Sequence, residues 1–206
     1  GVESVLLKQR QNPDEAYKNG VLLAGEKLPT EVGEDGIRYA LDLQMNQDAG
    51  FYLDTRRLRQ WLVANMGGKR VLNTFAYTGS LGVAAGAGDA KLVVQTDLSA
   101  KFMEIGKKSW QLNELDQSKQ VILSGDFFRV IGRMRNEERL FDCVILDPPF
   151  FSKTGAGRVD LQAETTRLIN KVRPLVAHEG WLVVINNALF LSGTDWMQEL
   201  EQLCES

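Results

Sequence analysis

The chain has 206 residues, of which 44% are hydrophobic and 25% charged, proportions that are ordinary for a globular protein. This length leaves room for one sizeable α/β domain and a small appendage. The net charge of −3 argues against unspecific nucleic-acid binding by the whole surface, although a local basic patch remains compatible with it. The two cysteines form no CxxC motif, which disfavours a disulfide framework and a zinc site, so we expect no metal.

The longest apolar runs, such as VLLA and WLVVI, are far too short to span a bilayer, and the N-terminus lacks the apolar segment of a signal peptide. We therefore expect no membrane partner and a location in the cytoplasm. The sequence carries no argument about oligomeric state.

The first 69 residues predict short strands followed by one helix. The stretch SVLLK (4–8) is typical of a strand, and apolar residues alternate with polar ones in IRYALDL (37–43), which predicts a half-buried strand. The turn GEDG (33–36) before it suggests that LPTEV (28–32) pairs with it as a hairpin. The stretch 53–66 predicts a helix with Asp54 near its N-cap.

From residue 70 onward, apolar runs alternate with amphipathic stretches, which predicts βαβ units and a doubly wound, Rossmann-like parallel sheet. The apolar runs are continuous, so both faces of this sheet should be covered. We expect a β-rich segment over residues 1–53 and the sheet domain over 54–206. The predicted strands are RVLNTF (70–75), KLVVQTD (91–97), QVILSGD (120–126), FDCVILD (141–147) and WLVVIN (181–186), and the predicted helices are 80–88, 99–115, 128–138, 160–177 and 194–205.

The predicted strands end in residues that suit a nucleoside-bearing ligand. Parallel sheets bind ligands outside the carboxyl ends of their strands. Gly79 follows the first strand and can adopt a positive φ. Asp97 ends the second strand and can accept hydrogen bonds from ribose hydroxyls. Asp126 and Phe127 follow the third strand, where they offer an acceptor and a ring edge to a base. Asp147 ends the fourth strand.

Each of these residues also has a plain structural interpretation. Gly79 alone is more typical of a turn, Asp97 and Asp126 are each typical helix N-caps, and Asp147 can cap a turn. The repetition of an acid at consecutive strand ends nevertheless favours a nucleoside cofactor. The chain lacks GxGxxG, which weakens a dinucleotide hypothesis.

Four stretches resemble class I S-adenosylmethionine-dependent methyltransferases, and more narrowly the bacterial 23S ribosomal RNA methyltransferases of the RlmI/RlmK type. They are GIRYALDLQMNQDAGFYLDTRRLR (36–59), RVLNTFAYTGSLGVAA (70–85), VVQTDLSAKFMEIGKKSWQLN (93–113) and FDCVILDPPFFS (141–152). The first stretch is the most specific, because a GFYLDxR segment before the first strand is not a general methyltransferase feature.

The resemblance implies S-adenosylmethionine as cofactor and assigns residues to it. The ribose would meet Asp97, and the adenine would lie near Asp126 and Phe127. One segment would cover the cofactor and a loop would lie below it: the segment contains Phe51, Asp54 and Arg56, and the loop contains Asn73, Phe75, Tyr77 and Gly79.

The stretch DPPFF (147–151) is the expected site of chemistry. In methyltransferases that act on planar amines, an Asn/Asp-Pro-Pro-aromatic motif holds the target. Here Asp147 would accept a hydrogen bond through its side chain, Pro148 would supply an aimed carbonyl, and Phe150 would stack on the base, in preference to Phe151. The alternative is that both phenylalanines form a lid over the core.

The family contains two mechanisms, which the cysteines distinguish. Members that methylate cytosine C5 carry a nucleophilic cysteine just after the fifth strand. This chain has INNALF (185–190) there, while Cys143 lies inside a predicted strand and Cys204 on the last helix. Asn186 and Asn187 resemble the guanine-N7 members of the family, although a role in tying down the loop explains them equally well. We therefore predict methyl transfer to a nitrogen of an RNA base, with ribosomal RNA as the partner and no covalent intermediate.

Three alternatives remain at this stage: an NAD(P)-dependent oxidoreductase on the same sheet, a non-catalytic RNA-binding module, and methyl transfer to a protein or small molecule. The basic cluster of Arg56, Arg57, Arg59, Lys69 and Arg70 fits an RNA patch and a solvated helix face equally well. The sequence shows neither the N-terminal PUA-like domain nor the C-terminal hairpin common in the family, so we expect a chain truncated at its C-terminus.

Overall fold

The computed structural model describes residues 2–154, 157–187 and 192–205. Two short 3₁₀ turns, Gln117–Lys119 and Arg173–Leu175, accompany the helices and strands. The elements follow one another as β1 (Val5–Leu7), α1 (Glu15–Asn19), β2 (Val21–Ala24), β3 (Glu31–Glu34), β4 (Ile37–Ala40), α2 (Arg56–Asn65), β5 (Arg70–Thr74), α3 (Ser80–Ala87), β6 (Leu92–Asp97), α4 (Ala100–Leu112), β7 (Gln120–Ser124), α5 (Phe127–Asn136), β8 (Phe141–Leu146), β9 (Phe151–Thr154), β10 (Gly157–Asp160), α6 (Leu161–Val172), β11 (Val176–Val184) and α7 (Gly193–Glu205).

The five parallel strands form one sheet in the order β11–β8–β5–β6–β7. The chain winds outward from β5 through β6 to β7, and then returns to the other side of β5 with β8 and β11. Helices cover both faces: α2, α3 and α4 pack on one, and α5 and α6 on the other. The predicted doubly wound, Rossmann-like fold is therefore confirmed, and the winding reverses between β5 and β8, where such folds bind ligands.

Continuous apolar runs explain why the central strands are buried on both faces. Every residue from Val71 to Thr74 in β5 is buried, as is every residue from Cys143 to Leu146 in β8. Side chains in a strand alternate between the two faces, so each run supplies both apolar cores. Ile145 belongs to the core under α3, and Leu146 to the core under α5.

The N-terminal part contains the strand and the hairpin that the sequence predicts there. The strand predicted at 4–8 is β1, which pairs with β2, and the predicted pairing across GEDG is the antiparallel hairpin of β3 and β4. Helix α2 begins at Arg56 with Thr55 as N-cap, and Asp54 precedes the cap. The division between residues 53 and 54 stays a prediction.

Three local features differ from the sequence prediction. The antiparallel hairpin of β9 and β10 follows the DPPF motif, although the polar, glycine-containing sequence there lacks the apolar alternation of a strand. Helix α6 ends at Val172, because Pro174 enters a 3₁₀ turn instead of prolonging the helix. Strand β11 begins at Val176, five residues before the predicted start.

No helix in the described part of the chain is long and apolar enough to cross a membrane.

Candidate active site

A cavity of about 800 Å³ lies at the carboxyl edge of the sheet, a size typical of small-molecule sites. Side chains that follow β5, β6, β7 and β8 line it, together with the segment before α2. Eight of the residues predicted from the sequence belong to its lining: Asp54, Phe75, Tyr77, Asp97, Asp126, Phe127, Asp147 and Phe150. The structure thus brings together most of the predicted site.

The loop between β5 and α3 has an unusual backbone that aims two aromatic side chains at the cavity. Phe75 and Tyr77 have φ values of 52° and 53°, a left-handed conformation that costs free energy in residues other than glycine and is often found at functional sites. Gly79 follows at φ 78° as the N-cap of α3, and a Cβ there would lie 2.9 Å from Gln95 Oε1. Gly79 therefore packs closely against Gln95, and its missing side chain lets the loop take this shape.

The Asp97 carboxylate is held rigidly at the end of β6. The backbone N–H of Tyr77 donates to Oδ2 and that of Ser99 to Oδ1, both at 2.9 Å. Burial raises the pKa of Asp97. A carboxylate offers about four lone-pair sites, so each oxygen can accept a further hydrogen bond from the cavity. This arrangement suits two adjacent hydroxyls of a ribose.

The third strand end combines a helix cap with an aromatic wall. Asp126 is the N-cap of α5 and accepts from the backbone N–H groups of Phe128 and Arg129 at 2.9 and 3.2 Å, as the plain structural interpretation anticipated. The Phe127 ring stacks on Phe75, with centroids 4.5 Å apart and planes 24° apart. The cap leaves Asp126 in the cavity lining, so the cap and a ligand contact are compatible.

Five predicted site residues do not line the cavity. They are Phe51, Arg56, Asn73, Gly79 and Pro148. Arg56 forms an ion pair with Asp35 at 2.6 Å. The guanidinium carbon of Arg59 lies over the Phe51 ring, 4.2 Å from the centroid of that ring. These contacts make Phe51 and Arg56 supports of the wall that carries Asp54.

Asn73 and Pro148 act through their neighbours as well. Asn73 donates to Gln95 Oε1 at 3.2 Å, beneath the glycines of α3. The Pro148 carbonyl accepts from Nδ2 of Asn187 at 3.1 Å. The Pro148 carbonyl is therefore hydrogen-bonded to a lining residue, Asn187, whose amide also donates to Asp147.

The lining also contains residues that we did not assign to the site from the sequence, among them Arg10, Asp48, Tyr52, Thr96 and Asn187. A signal existed for two of them, because Tyr52 belongs to the GFYLDxR segment and Thr96 precedes a strand-end acid. Arg10 carried no signal. It reaches the cavity because Lys8 Nζ donates to the carbonyls of Asn46 and Asp48 at 2.8 and 2.7 Å, which fixes the N-terminal hairpin there.

The charge of the lining is strongly one-sided. Within the described residues, the only basic side chain is Arg10, and it pairs with Asp48 at 3.2 Å. The acidic lining residues are Asp48, Asp54, Asp97, Asp126 and Asp147. Such a cavity favours a cationic ligand and disfavours a pyrophosphate. The described residues contain no group of three His, Cys, Asp or Glu side chains that could hold a metal ion.

The pKa of the Asp147 carboxyl, which follows β8, is strongly shifted. Burial raises the pKa of Asp147 to about 6, a hydrogen bond from Asn187 opposes this rise, and the charge of Asp54 adds to it. Asn187 Nδ2 donates to Asp147 Oδ1 at 2.7 Å. A carboxyl with a raised pKa in a cleft is a functional-site candidate on physical grounds.

Comparisons with known proteins agree with this geometry. The sequence model described as S-adenosylmethionine-dependent methyltransferase matches residues 2–203. The chain belongs to this family. Ribosomal RNA large subunit methyltransferase K of Neisseria meningitidis is 34% identical over 158 residues, which are 76% of this chain and 45% of that protein. Ribosomal RNA large subunit methyltransferase I of Vibrio parahaemolyticus is 38% identical over 139 residues, 66% of this chain and 35% of that protein.

Solved structures show the same fold. The protein SMU.776, described as a methyltransferase and solved in complex with SAH, superposes with a TM-score of 0.83 at 25% identity over 89% of this chain and 49% of that one. The tRNA m1G37 methyltransferase of M. jannaschii gives 0.64 at 22% identity over 98% and 52%. The chain thus spans less than half of the length of these two ribosomal RNA methyltransferases and of SMU.776, and 52% of the tRNA enzyme.

The residues present fit the family's methyl donor, S-adenosylmethionine. Thr96 Oγ1 is buried in the cavity lining without a hydrogen-bond partner in the described protein, which is costly unless a ligand supplies one. Asp97 can accept from a ribose, and the acidic lining suits a ligand with a sulfonium and an ammonium group. When bound, this ligand supplies an electrophilic methyl group.

The orphan hydroxyl of Thr96 leads to a test. Thr96→Val should weaken binding of S-adenosylhomocysteine by about three- to tenfold, the usual net value of one hydrogen bond. The free protein should melt no lower, since no protein partner is lost. Titration calorimetry and thermal unfolding check both parts. Thr74→Val is the matched control: its hydroxyl donates to the Ile145 carbonyl at 2.8 Å outside the lining, so stability should fall and affinity should hold.

Proposed function

We propose that the chain is the catalytic domain of an S-adenosylmethionine-dependent RNA methyltransferase, which transfers a methyl group to a base nitrogen of ribosomal RNA without a covalent cysteine intermediate. The observation that carries this proposal is the DPPF motif at the end of β8. There the Asp147 carboxylate and the Pro148 carbonyl both accept from one amide nitrogen, Nδ2 of Asn187, at the cavity that fits the methyl donor.

The cofactor would extend along the strand ends. Asp97 would accept hydrogen bonds from its ribose hydroxyls, while Asp126 and Phe127 would border its adenine. Phe75 and Tyr77 form the adjoining wall, and the negative charge of the lining attracts its cationic end. This division leaves the end of β8 for the acceptor base.

Phe150 is the preferred stacking platform. It lines the cavity with 42% of its surface exposed, while Phe151 is 56% exposed and outside the lining. Such exposure argues against a lid over the core, since a core residue would be buried. A base flipped out of a folded RNA could stack on the exposed ring while its edge meets Asp147.

The structure weighs against the alternatives. A cavity with five aspartates and one paired arginine in its described lining is a poor place for the pyrophosphate of NAD(P). Burial raises the pKa of the Cys143 thiol to about 12, so it is no ready nucleophile. Cys204 lies on α7, remote in sequence from the strand ends.

Two members of the basic cluster noted in the sequence are paired with acids in this chain. Arg59 is 1% exposed and paired with Glu34 at 2.6 Å, and Arg56 is paired with Asp35. The ribosomal RNA partner is instead supported by the names of the relatives. The cytoplasmic location stays a prediction.

One comparison tests the proposal. The protein is incubated with tritium-labelled methyl donor and, side by side, ribosomal RNA, intact ribosomal subunits and total cell protein. Label in RNA is the expected result. Label in protein alone would overturn the RNA assignment, and thermal stabilisation by NAD(H) or NADP(H) but not by S-adenosylhomocysteine would overturn the methyltransferase itself.

The cysteine-free mechanism has its own test. A Cys143→Ala, Cys204→Ala double variant should keep methyl transfer within about threefold, because neither thiol forms a bond to the base. RNA containing 5-fluorocytidine should form no denaturation-resistant adduct with the wild-type protein. Either a trapped adduct, or lost activity in a double variant whose circular dichroism shows a native fold, would contradict the prediction.

A further inference from the structure

The side chain of Arg59 is buried, with 1% of its surface exposed, and it bonds to two different parts of the chain. Its Nε and Nη2 donate to the two carboxylate oxygens of Glu34 on β3, at 2.6 and 2.9 Å. Its Nη1 donates to the Tyr52 carbonyl at 2.9 Å and to Thr55 Oγ1 at 2.6 Å. One edge of the guanidinium thus holds the N-terminal hairpin, and the other holds the residues before α2.

The position of Arg59 on α2 explains how it reaches these residues. Thr55 is the N-cap of the helix, so Arg59 lies about one turn farther along the same face. Side chains of a helix tilt toward its N-terminus, which directs the guanidinium back over the chain that enters the helix. The planar group also stacks on the Phe51 ring while its N–H groups bond within its own plane.

The residues that Arg59 holds belong to the wall of the active-site cavity. Tyr52 and Thr55 both line the cavity, and so does Asp54, which stands between them. Thr55 Oγ1 also donates to the Tyr52 carbonyl at 3.0 Å, so two donors fix that carbonyl. The segment 52–55 is therefore bound to one guanidinium on both sides of Asp54.

Stability alone gives a weak reason for a buried arginine at this place. Removing a guanidinium and a carboxylate from water costs about as much free energy as their attraction provides, and apolar residues of similar size often stabilise a fold as well. The N-terminal end of a helix also carries a partial positive charge, which disfavours a cation beside it. An apolar residue could not replace the bonds to Tyr52 and Thr55.

We propose that Arg59 is a positioning residue, which fixes the segment 52–55 against the bound methyl donor. The inference rests on the proposed function, in which this part of the chain covers the cofactor. Without Arg59, the Tyr52 carbonyl and the Thr55 hydroxyl lose a donor, and the segment takes several conformations of which one fits the ligand. The affinity for the cofactor then falls, although Arg59 itself lies outside the cavity lining.

Arg59→Lys tests the proposal with the charge retained. Lysine replaces the rigid fork by one flexible nitrogen, so Glu34 and the segment 52–55 are no longer held together. The affinity for S-adenosylhomocysteine should fall about three- to tenfold, the value of roughly one hydrogen bond. Titration calorimetry measures it without RNA. Unchanged affinity would overturn the inference and leave the proposed function standing, whereas unlabelled RNA with the wild-type protein would overturn the acceptor assignment alone.

Leu62→Ala is the matched control for stability. Leu62 is fully buried on the same helix and does not line the cavity, so its truncation should lower the melting temperature strongly. The folded variant should bind S-adenosylhomocysteine as tightly as the wild type. If Leu62→Ala lost as much affinity as Arg59→Lys, the effect of Arg59 would be one of general stability, and the inference would be wrong.

Arg59→Ala with free guanidinium separates a local role from a general one. Arg59 lines a second cavity, of about 300 Å³, together with Glu34 and the exposed residues Asp35 and Gln60. Truncation to alanine makes room there for a guanidinium ion that enters from the solvent. Guanidinium chloride below its unfolding concentration should restore part of the lost affinity, and sodium chloride at equal ionic strength should not. Equal affinity in the two salts would contradict the proposal.

Discussion

Replacing Asp147 by asparagine is expected to lower the kcat of methyl transfer by about 10- to 100-fold, because a neutral oxygen accepts the hydrogen bond of the target more weakly than a carboxylate does. Asparagine keeps the shape of the side chain and an oxygen for the Asn187 amide, but it carries no charge. The affinity for S-adenosylhomocysteine should stay within about twofold of wild type, since the cofactor contacts lie on the other strand ends. Single-turnover kinetics and calorimetry measure the two effects.

The same variant should be more stable than the wild type at pH 7. Burial raises the pKa of Asp147 to about 6, so its ionised form destabilises the fold above that pH. The wild type therefore gains stability as the pH falls from 7 toward 4, and the variant does not. Asp54 and Tyr52 also interact electrostatically with Asp147, so melting temperatures are compared between the two proteins at each pH, and their difference should disappear near pH 4.

Asp142→Asn provides the control for a carboxylate on the same strand. Asp142 accepts from the backbone N–H of Arg70 at 2.7 Å, away from the cavity. This substitution should lower stability and leave kcat within about twofold, as expected for a structural hydrogen bond. Full activity in Asp147→Asn, or an equal loss of activity in both variants, would show that Asp147 has no role in the chemistry.

The fold and most of the strand ends could be predicted because they depend on local sequence. Continuous apolar runs separated by amphipathic stretches define the parallel sheet, and its geometry places every strand end at one edge. Asp97 and Asp147 needed only this rule. Thr96 could have been found by the same rule, since it stands next to an acid at that edge.

The positions of other site residues depend on long-range packing, which cannot be predicted from the pattern of a single sequence. Arg10 lines the cavity only because Lys8 ties the N-terminal hairpin to a loop some forty residues away, at Asn46 and Asp48. Arg56 matched the family segment, yet its ion pair with Asp35 takes it out of the lining. Asn187 was noticed, but its two bonds follow from the pairing of two strands distant in sequence.

The second large effect is expected at Asp97. Asp97→Ala should weaken binding of S-adenosylmethionine by about 10- to 150-fold, because charge-assisted hydrogen bonds to ribose hydroxyls contribute roughly 1.5–3 kcal/mol. Part of the loss arises in the protein: the N–H groups of Tyr77 and Ser99 lose the carboxylate that now accepts from them. The loop that carries Tyr77 would then be less ordered before the ligand arrives.

Two further variants separate these contributions. Asp97→Asn keeps an acceptor oxygen and removes the charge, so its affinity should lie between wild type and Asp97→Ala. Asp116→Ala removes another carboxylate that accepts a backbone N–H, that of Ser118 at 2.9 Å, far from the lining, and should leave affinity unchanged. Calorimetry on proteins with native circular dichroism decides the matter. If folded Asp97→Ala binds the methyl donor as tightly as wild type, the ribose does not contact β6, and the cofactor must be placed elsewhere in the cavity.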